Sequence, residues 1–185
     1  LVHLLGPLTR VCGSAATSFA RRPVTNPQAP PEERGRAIDV EVATHVSAVL
    51  DFADGCIATL IASFDVWSQN LPRIEIYGSE GTLSVPDPNH FGGPVRLRRA
   101  GAEAWSEIPL THNAEVMRGI GVADLAHALR SGRPQRAGGT LAWHVLDVMH
   151  AILESAESGR HIDIHSQAAA PPPLPTGLLP GRLDD

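Results

Sequence analysis

Four side chains in this sequence have the chemistry to line a polar cleft: Asp65, Trp67, Arg118 and His144. Asp65 and Trp67 close a strand-like run. Arg118 stands just before one helical pattern, and His144 falls opposite the apolar stripe of another. A carboxylate, a guanidinium and an imidazole supply hydrogen bonds, and an indole supplies a flat apolar plate. Singly, each such residue is more commonly a surface or packing residue than a ligand.

Other spacings fall short of chemistry. Gly119-Ile120-Gly121-Val122-Ala123-Asp124 offers two glycines of a dinucleotide-binding turn. That turn needs an apolar strand before it and a third glycine. Here His112-Asn113-Ala114-Glu115 precedes it and Asp124 replaces the third glycine, so the segment reads as a flexible lead-in to a helix. His161 and His165 lie four apart in a strand-like context with no third ligand at motif spacing, so no metal site is assigned. Ser79 and Ser155 have neither a neighbouring base in triad order nor a glycine-flanked elbow. They read as turn and helix residues. All 15 basic side chains are arginine, which leaves no lysine to act as general acid, Schiff base or phosphate ligand. No residue is assigned a catalytic or cofactor-binding role.

The elements follow from hydrophobic period. Leu1–Leu5 before Gly6-Pro7 reads as the last turn of a helix, too short to nucleate alone, so earlier turns are expected upstream of Leu1. Leu8–Phe19 reads as a strand. Residues 21–36 are polar, carry four prolines and read as a loop. Val40–Phe52 alternates, with Val46, Ala48, Leu50 and Phe52 on one face and His45, Ser47, Val49 and Asp51 on the other. Asp54-Gly55 signals a hairpin. Cys56–Trp67 returns with apolar residues on both faces, which predicts a central strand.

Beyond it, Ile74 and Ile76 alternate with Glu75 and Tyr77. Gly78-Ser79-Glu80-Gly81 allows a tight turn, and Thr82–Val85 resumes the alternation until Pro86. Residues 95–99 and 105–108 form a short polar pair of strands. The period then becomes helical. Val122, Leu125, Ala126 and Leu129 form one stripe, ending at Gly132 and Pro134. A second helix runs from about Thr140 to Gly159, with Leu141, Val145, Val148, Met149, Ile152 and Ala156 as its expected buried stripe. His144, Asp147, Ala151, Glu154 and Ser158 share the other face. Strands first and helices last predict an α+β domain, a predominantly antiparallel open sheet with helices on one face, over residues 1–165. Residues 166–185, rich in Pro and Ala, read as a disordered tail.

Bulk properties set the outer limits. The chain has 185 residues, 43% of them apolar, enough for one domain with a real core. A formal charge of −5 argues against a nucleic-acid partner. No apolar run approaches a membrane span and no signal-peptide pattern is seen, so the chain reads as cytoplasmic. Cys12 and Cys56 could form one bridge, but two cysteines are no disulfide framework, and buried free thiols are the commoner fate.

The hairpin at Ile76-Tyr77-Gly78-Ser79-Glu80-Gly81-Thr82-Leu83 resembles the Ile-x-Gly-Thr-x-Gly-x-Leu hairpin in the C-terminal domain of Gfo/Idh/MocA oxidoreductases. Ala128-Leu129-Arg130-Ser131-Gly132-Arg133-Pro134 and Ser155-Ala156-Glu157-Ser158-Gly159-Arg160 resemble that family's closing helices in order and spacing. The likeness covers nearly all of residues 1–165. It implies a parent protein with an N-terminal Rossmann domain for NAD or NADP and a catalytic lysine in a Glu-Lys-Pro motif, neither of which has a counterpart here. By the same resemblance the substrate is a sugar, polyol or related small molecule, and Asp65, Trp67, Arg118 and His144 are its candidate contacts. It further implies a truncated chain, not catalytic alone and binding no cofactor itself, that pairs as a homodimer through the open sheet face. The rival reading is a non-enzymatic assembly module that uses the sheet face purely for association.

Two units built on antiparallel sheets

The computed structural model describes residues 1–112, 114, 116, 118–178, 182 and 183. The chain forms two compact units, residues 1–67 with 139–170, and residues 68–138 with 171–185.

In the first unit, helix α1 (Val2–Leu5) leads into strand β1 (Leu8–Ala16). Gly6 caps α1 at φ 82°, a left-handed value that suits glycine. A short ribbon, β2 (Arg21–Pro23) with β3 (Ala37–Asp39), occupies the proline-rich stretch expected to be loop. Strands β4 (His45–Phe52) and β5 (Ile57–Ser63) join through the predicted Asp54-Gly55 turn, where Gly55 takes φ 91° and the Asp54 side chain accepts the Cys56 N–H. Helix α3 (Gly139–Ser158) and β10 (Ile162–Asp163) complete the unit. The sheet order is β10-β1-β4-β5, every pair antiparallel.

Register places Val11, Leu50 and Ala58 in one row and Gly13, Ala48 and Leu60 in the next. This is the face that packs on α3, forming a core with Val148, Ala151 and Ile152. The alternate rows, with Val49, Ile57 and Ile61, face away and are exposed. Strand β5 thus ends its sheet instead of lying at the centre. Its two-faced apolarity comes from one packed face and one open face. Cys12 and Cys56 are both free thiols.

Helix α3 corrects the expected stripe. Its buried residues are His144, Val148, Ala151, Ile152 and Ser155, while Val145 and Met149 are exposed. The spacing of three and four is helical as predicted, but rotated by about one residue. The reason lies in β1. Strand β10 pairs only with Arg10 and Val11, so other N–H groups along that edge need acceptors. His144 and Ser155 supply them to Leu8 and Gly13, at 3.1 and 2.9 Å.

The second unit contains β6 (Ile74–Gly78), β7 (Gly81–Val85), β8 (Val95–Arg99) and β9 (Ser106–Ile108), an antiparallel meander in chain order. The predicted hairpin is β6–β7, with Ile74 opposite Val85 and Ile76 opposite Leu83. Gly81 is obligatory, since a Cβ there would sit 2.4 Å from the Arg98 carbonyl oxygen. Helix α2 (Ile120–Ser131) stops at Gly132, φ 74°. Its buried residues are Asp124 and Ala128, whereas Val122 and Leu129 of the expected stripe are exposed.

Part of the expected tail has fixed partners. Ser166 Oγ accepts from His144, and Ala168 packs on the core of the first unit. The Leu174 and Pro175 carbonyls bind His112. Residues 179–181, 184 and 185 of that tail, and Asn113, Glu115 and Met117, lie outside the described residues. Among the described residues, no helix is long and apolar enough to cross a membrane.

Candidate functional site

The four residues singled out from the sequence do not form one constellation. His144 has no exposed surface. Its Nε2 accepts the Leu8 N–H, so the ring proton sits on Nδ1 and is donated to Ser166 Oγ at 2.8 Å. Both nitrogens are engaged, and the imidazole is a bolt between α3 and β1. Its expected position on a polar face is overturned by this need for a buried acceptor.

Asp65 lies just past β5, with its side chain 9% exposed. Its Oδ2 accepts from Ser18 Oγ at 2.6 Å and Thr44 Oγ1 at 2.5 Å, and Oδ1 faces Arg22 Nη1 at 3.4 Å. Its own N–H donates to Ser63 Oγ, which also meets His45 Nδ1 at 3.0 Å. The hydroxyls of Ser18 and Thr44 hold the Asp65 carboxyl below the usual carboxylate range. The charges of Arg22 and His45 add to this, and burial works against it. Arg22 also donates to the Phe64 carbonyl and stacks over Phe19, 5.9 Å from the ring centroid. Asp65 is therefore the anchor that fastens the β2–β3 ribbon to the end of β5.

Asp65 and His144 are far apart. His144 grips Leu8 at the start of β1, whereas Ser18 follows its end. A nine-residue strand puts roughly 27 Å between them. Trp67 is fully exposed, two residues past Asp65, and exposed Phe64 and Phe19 are further aromatic rings at that end of the unit. Arg118 belongs to the second unit, where its Nη2 donates to the backbone and side-chain oxygens of Asn89.

Sequence reasoning missed Ser18, Arg22 and Thr44. Ser18 and Thr44 fell in segments read as strands and Arg22 in the proline-rich loop, so polarity was their only common signal. It also missed a cavity of about 290 Å³ in the second unit, lined by Phe91, His112, Ile120, Asp124, Leu174 and Arg182 among others. There Asp124, 5% exposed, accepts from Arg133 Nη2 at 2.7 Å, Arg136 Nη1 at 2.5 Å and the Arg136 N–H at 2.8 Å. Burial works against its charge, but these three donors outweigh burial and hold its carboxyl down at about 2.

The Gly119–Asp124 segment does not fit a dinucleotide. Residues 109–112 before it form no strand, and Asp124, standing where the third glycine would be, is held by two guanidiniums. Among the described residues, no group of three or more His, Cys, Asp or Glu side chains could hold a metal ion.

Antiparallel sheets with few helices define an α+β fold. The model of the GFO/IDH/MocA C-terminal domain matches residues 1–84, and the resemblance to that family read from the sequence is borne out. The fold is similar to that of levoglucosan dehydrogenase in its apo form, with TM-score 0.69 and 19% identity over 90% of this chain and 48% of that one. It is also similar to an NAD binding oxidoreductase from Klebsiella pneumoniae (TM-score 0.67, 20% identity, 87% of this chain and 46% of that one). A third likeness is to the aldose-aldose oxidoreductase from Caulobacter crescentus complexed with glycerol (TM-score 0.64, 18% identity, 85% and 41%). This chain spans less than half the length of each of these structures. No curated protein matches it.

Proposed function

We propose that this chain is the substrate-side and assembly part of an NAD(P)-dependent oxidoreductase acting on a sugar, polyol or related small molecule. The observation that carries the reading is the match of residues 1–84 to the GFO/IDH/MocA C-terminal domain. Levoglucosan dehydrogenase has been solved with NADH and L-sorbose, which agrees with that substrate class. In this reading a nicotinamide held by another part of the protein supplies hydride transfer. This chain contributes contacts. Within the first unit, Trp67 offers an exposed plate for the apolar face of a sugar ring. Asp65 and His144 support the fold from within.

The same proposal includes a second copy of the chain on the open face of the first unit's sheet. Val49, Ile57 and Ile61 are 43%, 69% and 53% exposed there, among the small side chains of Ser47 and Thr59. An apolar sheet face of this kind is self-complementary across a two-fold axis. Association alone would equally serve the non-enzymatic assembly module, so chemistry has to separate the two readings.

The test reads the gene upstream of Leu1 for a glycine-rich strand–turn–helix and a Glu-Lys-Pro motif, then assays the encoded protein. NAD(P)-linked oxidation of a sugar or polyol, with Trp67→Ala raising KM more than it lowers kcat, supports the proposal. Absence of both motifs, or no turnover across a panel of levoglucosan, L-sorbose, aldoses and polyols, overturns it.

A further inference from the structure

The sheet of the first unit ends in two unlike edges. Strand β10 is two residues long and carries Asp163, so that edge is short and charged. Strand β5 forms the other edge over seven residues, with no charged residue and no proline. Its register against β4 runs from Asp51–Ile57 to His45–Ser63 without a bulge. The other edge strands also carry charge: Arg21 on β2, Asp39 on β3, Glu75 on β6 and Glu107 on β9. Among the described residues, β5 is the sheet edge that lacks every feature known to discourage pairing.

Two backbone bonds fix which groups that edge presents. The Phe64 N–H donates to the Thr44 carbonyl at 2.8 Å, and the Phe52 N–H to the Cys56 carbonyl at 2.9 Å. In an antiparallel ladder, residues that exchange such bonds alternate with residues that do not. Ala58, Leu60 and Ala62 therefore turn their N–H and C=O groups toward β4. Those of Ile57, Thr59, Ile61 and Ser63 point out of the edge. Among the described residues none of these outward groups is taken, apart from a long contact of 4.0 Å from Cys56 Sγ to the Ile57 carbonyl.

We infer that this edge pairs with the same edge of a second copy, antiparallel across a two-fold axis through Leu60. In that register Ile57 faces the partner's Ser63 and Thr59 faces the partner's Ile61, so every outward group is paired. Side chains favour this occupant. On the open face each isoleucine meets a smaller residue, a serine or a threonine, which suits cross-strand packing. On the face toward α3, Leu60 meets the partner's Leu60 and extends the apolar row of the core. The strand carries no charge to repel its own copy, and it offers none to attract a charged peptide. One antiparallel sheet then runs through two copies. This contact does not rest on the face pairing proposed above, which uses side chains and leaves the outward N–H groups in water. It is small, and small interfaces are weak, so it forms at high protein concentration.

The test is amide hydrogen exchange on the full chain from low to high micromolar concentration. The amides of Ile57, Thr59, Ile61 and Ser63 should slow by roughly tenfold or more as concentration rises. That of Leu60, bonded to β4, should be slow throughout. Thr59→Pro removes an outward donor that the chain itself does not use, so it should stay folded and lose the slowing. Val49→Arg, on the open face of β4 and away from the edge, should keep it. Outward amides that exchange rapidly at every concentration overturn the proposal. So does slowing that survives Thr59→Pro, or slowing lost in Val49→Arg, which would assign it to face pairing. A Thr59→Pro chain that does not fold also overturns it, because the Thr59 N–H would then be in use already.

Discussion

The Ser155 hydroxyl accepts the backbone N–H of Gly13 at 2.9 Å while its own proton goes to the Arg160 carbonyl at 2.6 Å. Ser155 has no exposed surface, and the contact is possible only because Gly13 has no side chain. A Cβ at that position would lie 2.8 Å from Ile152 Cγ2 and 3.2 Å from the Ile152 carbonyl oxygen. Helix and strand therefore approach at backbone distance, with a hydroxyl as the connecting group.

Gly13→Ala is expected to cost roughly 1–3 kcal/mol through overpacking. Removing the Ile152 side chain takes away one of the two clashing atoms. In a double-mutant cycle, Ile152→Ala should thus cost less in the Gly13→Ala background than in wild type. Additive losses in chemical denaturation would show that the close approach is not what constrains Gly13.

His144→Ala should destabilise the first unit by roughly 3 kcal/mol, since it opens a buried space and strands the Leu8 N–H. This replaces the near-neutral cost that a surface position would predict. A melting temperature within experimental error of wild type would contradict the buried hydrogen-bond chain from Leu8 through His144 to Ser166.

Asp124 should make the second unit acid-sensitive in a defined window. Its folded carboxyl titrates at about 2 against an ordinary value of 3.8. The folded state thus binds fewer protons than the unfolded state, and stability falls with pH between those values. The contribution is full above about 4 and gone below about 2. Asp124→Asn should flatten that part of the pH–stability curve, measured by denaturant melts. An unchanged curve would place the acid sensitivity elsewhere.

Asp65→Asn keeps the size of the side chain but removes the charge that faces Arg22. Amide exchange should accelerate at Val24 and Gly35, whose N–H groups hold the ribbon's turn, and stay slow at Ala48 and Leu50 in the core strand. Uniform exchange rates between wild type and variant would mean that the ribbon needs no anchor.

Association offers a test of the sheet's polarity. Ile57→Arg, on the open face, should shift light-scattering mass from dimer to monomer without loss of folding. Leu60→Arg instead places a charge on the face packed against α3, and should unfold the unit. A wild-type chain that is monomeric at high micromolar concentration would remove the proposed second copy.

Local pattern determined much of this protein. Alternation in Val46–Phe52, the Asp54-Gly55 turn and the glycine-bracketed β6–β7 hairpin were legible because they depend on neighbours in sequence. So were the helix ends at Gly132 and Gly159, where left-handed φ values favour glycine. The wording of the β6–β7 hairpin carried a resemblance that the model matching residues 1–84 bears out. What tertiary structure decided was which face goes inside. The apolar stripe read for α3 counted Val145 and Met149 and set His144 aside, because hydropathy ranks side chains by transfer from water. The strand beside the helix required acceptors for two N–H groups, and buried His144 and Ser155 to provide them. The same limit applied to Asp65. Its partners Ser18, Arg22 and Thr44 lie 47, 43 and 21 residues away in the chain, and only folding brings those donors onto one carboxylate. Periodicity reports distance along one element, whereas a buried polar group is satisfied across elements.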